Sequence, residues 1–262
     1  EGDNALGQVD CELKIEELKG AFPEGRIQVA GFFSKGRMEF LKENEAPTSK
    51  VHLSAQLKDA KITQDSFQVF LPKLEVAADF KAAGDTTGGW HGDIRTEKVR
   101  LDYPSQNIQA DDISFNLPWQ YPVVGEAKAG EVRVGRITQQ GHALGRLEAD
   151  LRQTKEGWFW NGVWKDILGP SMRLHLKGQT DPSFSEAITN FSLDHKSFNL
   201  KKVLTAYLKE AQNLKAKSDL HLQGKLLWKS GQFSCPVHFL LENLEFSDPE
   251  WKLQGEGIAL DL

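Results

Sequence analysis

Residues 50–57 read "KVHLSAQL". Val51, Leu53, Ala55 and Leu57 take every second position, and polar residues fill the gaps. Strict alternation makes a strand with one apolar face and one wetted face. The rhythm returns in "GRLEADL" at 145–151 and in "DLHLQGKLLW" at 219–228, the latter through Leu220, Leu222, Leu226 and Trp228. A wetted face points to antiparallel pairing, because parallel sheets are covered on both sides. Turn signals separate the runs: "SKG" at 34–36, "GDTTGG" at 84–89, "TQQG" at 138–141, "TKEG" at 154–157 and "KSG" at 229–231. Gly in such loops supplies the positive φ of a tight hairpin. About a dozen strands follow, many of about ten residues or more. The expected fold is mainly β: a long antiparallel meander forming a curved, repeat-built open sheet or groove. It is read as one elongated domain over 1–262, with possible sub-units 1–87, 88–180 and 181–262.

One segment leaves this period. Over 199–214, Leu200, Val203, Leu204, Tyr207, Leu208, Ala211 and Leu214 recur at helical spacing. An amphipathic helix is expected there, capped by Ser197 or Asn199, with Lys201, Lys202 and Lys209 on its outer side. A helix of four turns spans ~24 Å, too little to cover a dozen long strands. The apolar face therefore needs a second sheet or an apolar guest.

The chain also repeats itself. Residues 96–117 align without a gap on 241–262, and five of these 22 positions are identical, among them Pro104 with Pro249 and Ile113 with Ile258. The apolar positions agree further, as Val99 with Leu244 and Phe115 with Leu260. Both copies change phase at one place. Ile94 is even where Val99 and Leu101 are odd; Val237 and Phe239 are odd where Leu244 and Phe246 are even. A one-residue slip turns every later side chain over, so a β-bulge or tight bend is expected near 96–98 and 241–243. A shorter echo links "RLHLKG" at 173–178 to "DLHLQG" at 219–224.

Composition narrows the function. The 262 residues allow a sizeable core, and 39% hydrophobic with 26% charged residues excludes a disordered chain. Net charge is −5 with both signs scattered, so no basic stripe invites nucleic acid. No run reaches the ~18–20 apolar residues of a membrane-spanning helix. The chain begins at Glu1, not Met, as expected of a processed protein that has lost a signal peptide or anchor, or of a piece cut from a longer one. Cys11 and Cys235 both lie on apolar alternations; they read as small buried hydrophobes, or as a disulfide if the compartment is oxidising.

Catalytic signatures are missing. His52, His175 and His221 sit between apolar residues, so alternation turns them to the wetted face. No histidine pair has metal-ligand spacing. Asp111 and Asp112 are adjacent and point to opposite faces, which does not suit paired acid–base work. No nucleophile elbow, zinc-protease helix or phosphate loop is present. No enzyme activity, cofactor or metal is expected. Trp158, Trp160 and Trp164 form an aromatic patch that could fill a core, stack on sugars or line a lipid trough.

The segments "GEVRVGRITQQGHALGRLEADLRQ" at 130–153, "GWFWNGVW" at 157–164, "GPSMRLHLKG" at 169–178, "AYLKEAQNLKAKSDLHLQGKLLWKSGQ" at 206–232 and "LEFSDPEWKLQGEGIALDL" at 244–262 resemble the AsmA-like bacterial envelope proteins, nearest their YdbH-like branch. The resemblance spans roughly residues 88–262 and leaves 1–87 without a family feature. It implies a periplasmic, cell-envelope location, an inner-membrane anchor outside this chain, and a β-groove that carries phospholipid acyl chains. An envelope protein partner is a further possibility it raises. On this reading the lipid-groove candidates are Ile113, Phe115, Leu117, Leu220, Leu222, Leu226, Trp228, Phe239, Ile258 and Leu260. The alternative is a closed β-sandwich, serving as a scaffold or as a carbohydrate- or protein-binding module, in which those same residues are dry.

Overall fold

The computed structural model of the chain describes all residues except 1–3, 23–24, 44–45, 65, 84–87, 126–127, 168–170, 202–214, 230–231, 249–252 and 262. The described chain is almost entirely β. Sixteen strands follow in order: β1 (Asn4–Ile15), β2 (Leu18–Phe22), β3 (Gly25–Glu43), β4 (Ala46–Gln64), β5 (Phe67–Ala83), β6 (Gly89–Tyr103), β7 (Ile108–Tyr121), β8 (Gly130–Gln139), β9 (His142–Thr154), β10 (Gly157–Lys165), β11 (Arg173–Thr180), β12 (Glu186–Asn199), β13 (Lys215–Lys229), β14 (Gln232–Ser234), β15 (Val237–Asp248) and β16 (Leu253–Asp261). Hydrogen-bonded neighbours follow chain order in one open antiparallel sheet. β1 and β2 are two pieces of one edge, both pairing with β3. β14 and β15 are likewise two pieces that both pair with β13, parted at Cys235 and Pro236. Proline has no N–H to give a ladder, which accounts for that break.

Two compact units divide the chain: residues 1–142 with 150–155, and residues 143–149 with 156–262. No helix is described over 199–214: Asn199 ends β12, only Leu200 and Lys201 are helical, and the rest of the expected helix, 202–214, falls outside the described residues.

The turn signals at 138–141 and 154–157 stand, and those at 84–89 and 229–231 fall largely outside the described residues. Gln140 (φ 50°) and Gly141 (φ 80°) make the β8–β9 hairpin, with positive φ at both central residues. "SKG" at 34–36 is the exception: it lies inside β3. Gly36 is there for closeness, because a Cβ on it would stand 2.6 Å from Cys11 Sγ and 3.1 Å from a Leu53 methyl.

The repeat is structural. In the β6–β7 hairpin the register slips between the pairs Thr96↔Phe115, Val99↔Ile113 and Leu101↔Ala110. In β15–β16 it slips between Leu241↔Leu260, Leu244↔Ile258 and Phe246↔Gly255, each partner 145 residues on. Lys98 (φ 57°) and Asp112 (φ 53°) are left-handed in the first hairpin, as are Asn243 (φ 52°) and Gly257 (φ 66°) at the matching places in the second. Burial shows the purpose. Thr96 and Val99 are buried around exposed Glu97 and Lys98, and Leu241 and Leu244 around exposed Glu242 and Asn243. The extra residue lets the strand bend and keep apolar side chains on one face. Ser197 (φ 53°) before buried Phe198 repeats the device in β12, where the register with β13 slips; Asp59 (φ 47°) before buried Ala60 in β4 is left-handed too, with its register to β3 and β5 unchanged.

Candidate apolar binding face

Residues paired across an antiparallel sheet share a face, so the registers show where each apolar residue lies. In the first unit, Ala55 pairs with Val76, Val76 with Ile94, and Ile94 with Leu117. Next along the strands, Leu57 pairs with Leu74, Leu74 with Thr96, Thr96 with Phe115, and Phe115 with Val132. Beyond the bulges, Val99 pairs with Ile113 and Ile113 with Val134. Ile113, Phe115 and Leu117 therefore belong to one apolar face, and all three are half-buried. Val29, Ala60, Val99 and Val134 form a dry seam along the bulge line.

Toward its first edge this face opens. Val9 is 58% exposed and Leu13 53%, and Met38 and Leu53 are also exposed. Val9 pairs with Met38 and Met38 with Val51, which alternates with Leu53, Ala55 and Leu57 on β4. The sequence places Val9 and Leu13 on an apolar alternation with Cys11, but neither they nor Met38 are among the groove candidates. Their own alternation carried the signal.

The second unit repeats the arrangement with a packed end and an open end. Met172, Leu174, Leu193, Phe198, Leu220 and Leu241 form a buried cluster, with Trp164, Leu222 and Phe239 packed against it. Leu220, at 1% exposure, is thus a core residue and offers no surface to a ligand. Farther along the same face Leu226 is 38% exposed and Val237 47%, and Ile258 and Leu260 on β16 are exposed too. Trp228 is half-buried and pairs with Ala187.

The tryptophans lie on this face and do different work. Trp164 Nε1 donates to the Leu144 carbonyl at 2.6 Å, which satisfies its one polar atom beside the cluster. Trp160 pairs with Gly178 and covers it; a Cβ there would collide with the indole. Phe191 covers Gly224 in the same way, and Phe246 covers Gly255, where a Cβ would stand 2.5 Å from the ring. The L-x-L-x-G echo in β11 and β13 thus marks glycines that make room for an aromatic ring on the neighbouring strand. Trp158, half-buried, pairs with Thr180.

Buried hydroxyls tie off the bulges. Thr96 Oγ1 donates to the Lys73 carbonyl at 2.5 Å, and Ser218 Oγ donates to the Glu242 carbonyl at 2.7 Å. Each satisfies a carbonyl where the ladder breaks.

The opposite face is polar and laced across strands. His52 and Asp79 lie 2.6 Å apart in the first unit. In the second, His221 Nδ1 is 2.6 Å from Asp194 and Nε2 is 3.2 Å from Glu242, while His238 lies 2.6 Å from Asp261. The Asp194 contact raises the His221 pKa above its ordinary value. Asp219 accepts the Ser197 N–H and the Asn243 amide, both at 2.9 Å, and these bonds hold its carboxyl below the usual range. His52 and His221 point away from their apolar neighbours, as alternation requires.

Cys11 and Cys235 are exposed free thiols, which corrects the reading of both as small buried hydrophobes. Cys11 lies on edge strand β1 opposite Gly36, with no side chain to cover it, and Cys235 lies in the break before Pro236. No group of metal-ligating side chains occurs among the described residues, and no described helix is long and apolar enough to cross a membrane.

In comparisons with family models, curated proteins and solved structures, the chain matches none.

Proposed function

We propose that the chain binds acyl chains along the apolar face of its sheet, as a non-enzymatic lipid-binding segment of the bacterial cell envelope. The observation that carries this reading is an apolar face whose far residues, Leu226, Val237, Ile258 and Leu260, stay exposed while the same face is dry around Leu220. Soluble chains rarely leave large hydrophobic residues together in water without an occupant. Each buried CH₂ contributes ~0.8 kcal/mol, so one acyl chain supplies ample affinity without a covalent step. A phospholipid is the ligand class, and the resemblance to AsmA-like proteins adds the periplasm, an inner-membrane anchor and an envelope protein partner. A closed sandwich needs a second sheet over the same residues, whereas the strand order gives one open sheet.

The test is uptake of a fluorescent fatty acid, with native mass spectrometry of protein purified in mild detergent. Saturable uptake that falls several-fold in Leu226→Glu, a variant at an exposed position, supports the reading. Protein that carries no lipid and takes up no fatty acid overturns it.

A further inference from the structure

We infer that the polar face of the second unit carries an anion site, built for a phosphate ester around Lys177 and Lys225. The register places Lys177 beside Asn190 and Asn190 beside Lys225, so the two ammonium groups flank one amide. With strands ~4.8 Å apart, their Cα atoms are separated by about 10 Å, within reach of one tetrahedral anion for two such long side chains. On the same face, two residues along, Ser192 pairs with Gln223 and adds a hydroxyl and a second amide. These side chains line an open depression of about 710 Å³.

The depression exists because the sheet is interrupted there. Cys235 and Pro236 part β14 from β15 opposite Lys225, and the Lys225 N–H donates to the Pro236 carbonyl at 3.1 Å.

Charge sets the place apart. Several other cations of the unit meet carboxylates: Lys217 with Glu245 at 2.8 Å, Lys229 with Glu186 at 3.3 Å, and Lys165 with Glu148. Among the described residues Lys177 and Lys225 have no such partner, and their neighbours across β10 to β13 are Asn161 and Asn190; in the next row Ser192 and Gln223 lie between His175 and His238, the latter held by Asp261. Two positive charges without acid, on a chain of net charge −5, leave a local field that an anion satisfies. Ammonium, amide and hydroxyl donors together suit an oxyanion with several oxygens, and lysine serves phosphate as a point charge. The next row on this face, Ile188 with Leu227, is apolar and half-buried. It offers a shelf for the organic part of an ester. This site is on the face opposite the proposed acyl-chain surface.

The experiment uses the full chain. Glycerol 3-phosphate and inorganic phosphate are titrated calorimetrically, and flotation is measured with phosphatidylcholine vesicles with and without phosphatidylglycerol. The site variant is Lys177→Gln with Lys225→Gln; the control is Lys58→Gln with Lys61→Gln, exposed lysines of the first unit. Saturable binding of the soluble ester, weakened at least about tenfold in the site variant and less than about twofold in the control, supports a site for free phosphate esters. The same dependence seen with anionic vesicles alone assigns the phosphate to a lipid headgroup. Absence of binding to every probe, or equal loss in both variants, overturns the inference. Fatty-acid uptake measured on the same site variant is expected to be unchanged, which separates this outcome from that of the acyl-chain reading.

Discussion

Deleting Lys98 removes the extra residue that turns β6 over. Val99, Leu101 and Tyr103 follow it on the apolar face, Val99 at 6% exposure and the other two half-buried. Without the bulge, strict alternation rotates all three toward the polar face and brings Arg100 and Asp102 inward. Losing the full burial of one valine and half the burial of two larger side chains costs about 4 kcal/mol. Replacing Lys98 by Gly keeps the extra residue. It removes about 1–2 kcal/mol of left-handed strain and adds about 0.5–1 kcal/mol of unfolded-state entropy, a small net gain. Urea unfolding followed by tryptophan fluorescence separates the two: the deletion should lower stability by several kcal/mol, and Lys98→Gly should leave it equal or slightly higher. A deletion that costs under about 1 kcal/mol, together with a glycine variant that costs more, would refute the claim that this residue sets the strand's phase.

Other expectations follow from single features. Gly178→Ala should lose about 1–3 kcal/mol in urea unfolding, because the new methyl meets the Trp160 ring and the Ile188 carbonyl. Leu220→Ala should lose about 2–5 kcal/mol, whereas Leu226→Ala, at 38% exposure, should lose far less by the same measurement. The raised His221 pKa stabilises the fold while pH stays below the ordinary imidazole value, and that contribution is lost as pH rises through the higher folded value. Urea midpoints at about pH 5.5 and about pH 8.5 should therefore differ more in the parent than in His221→Gln. Both cysteines should react with a thiol reagent in native protein at the rate of exposed thiols, and slow reaction at Cys11 would contradict its open edge position.

Alternation in "KVHLSAQL" and "DLHLQGKLLW" was enough to read strands and the residues that share a face. The phase changes near 98 and 243 were enough to locate two bulges, because a slip of one residue leaves a trace in every later position. Alternation does not distinguish Leu220 from Leu226. Both point the same way, and only the packing of Met172, Leu193 and Leu241 decides which is dry. Gly36 read as a turn because its conformational freedom and its smallness look alike in a sequence. The anion site was hidden for a different reason: Lys177 and Lys225 stand 48 positions apart and meet only through the register of β11, β12 and β13. The left-handed Asp59 and Ser197 left weaker traces, since no second copy of their hairpins was there for comparison.

Consecutive strand order has a consequence for how the chain reaches this state. Each strand finds its partner in the strand just made or, for β1 with β3 and β13 with β15, across one short intervening strand, so loop closure is short at each step and the entropic barrier to each pairing is low. The sheet can grow hairpin by hairpin from its N-terminal end as the polypeptide leaves the ribosome or a membrane pore. No segment has to wait for a distant partner. A hairpin removed from either end takes away one interface and leaves the ladders behind it complete, as in linear repeat proteins whose stability is a sum over neighbours.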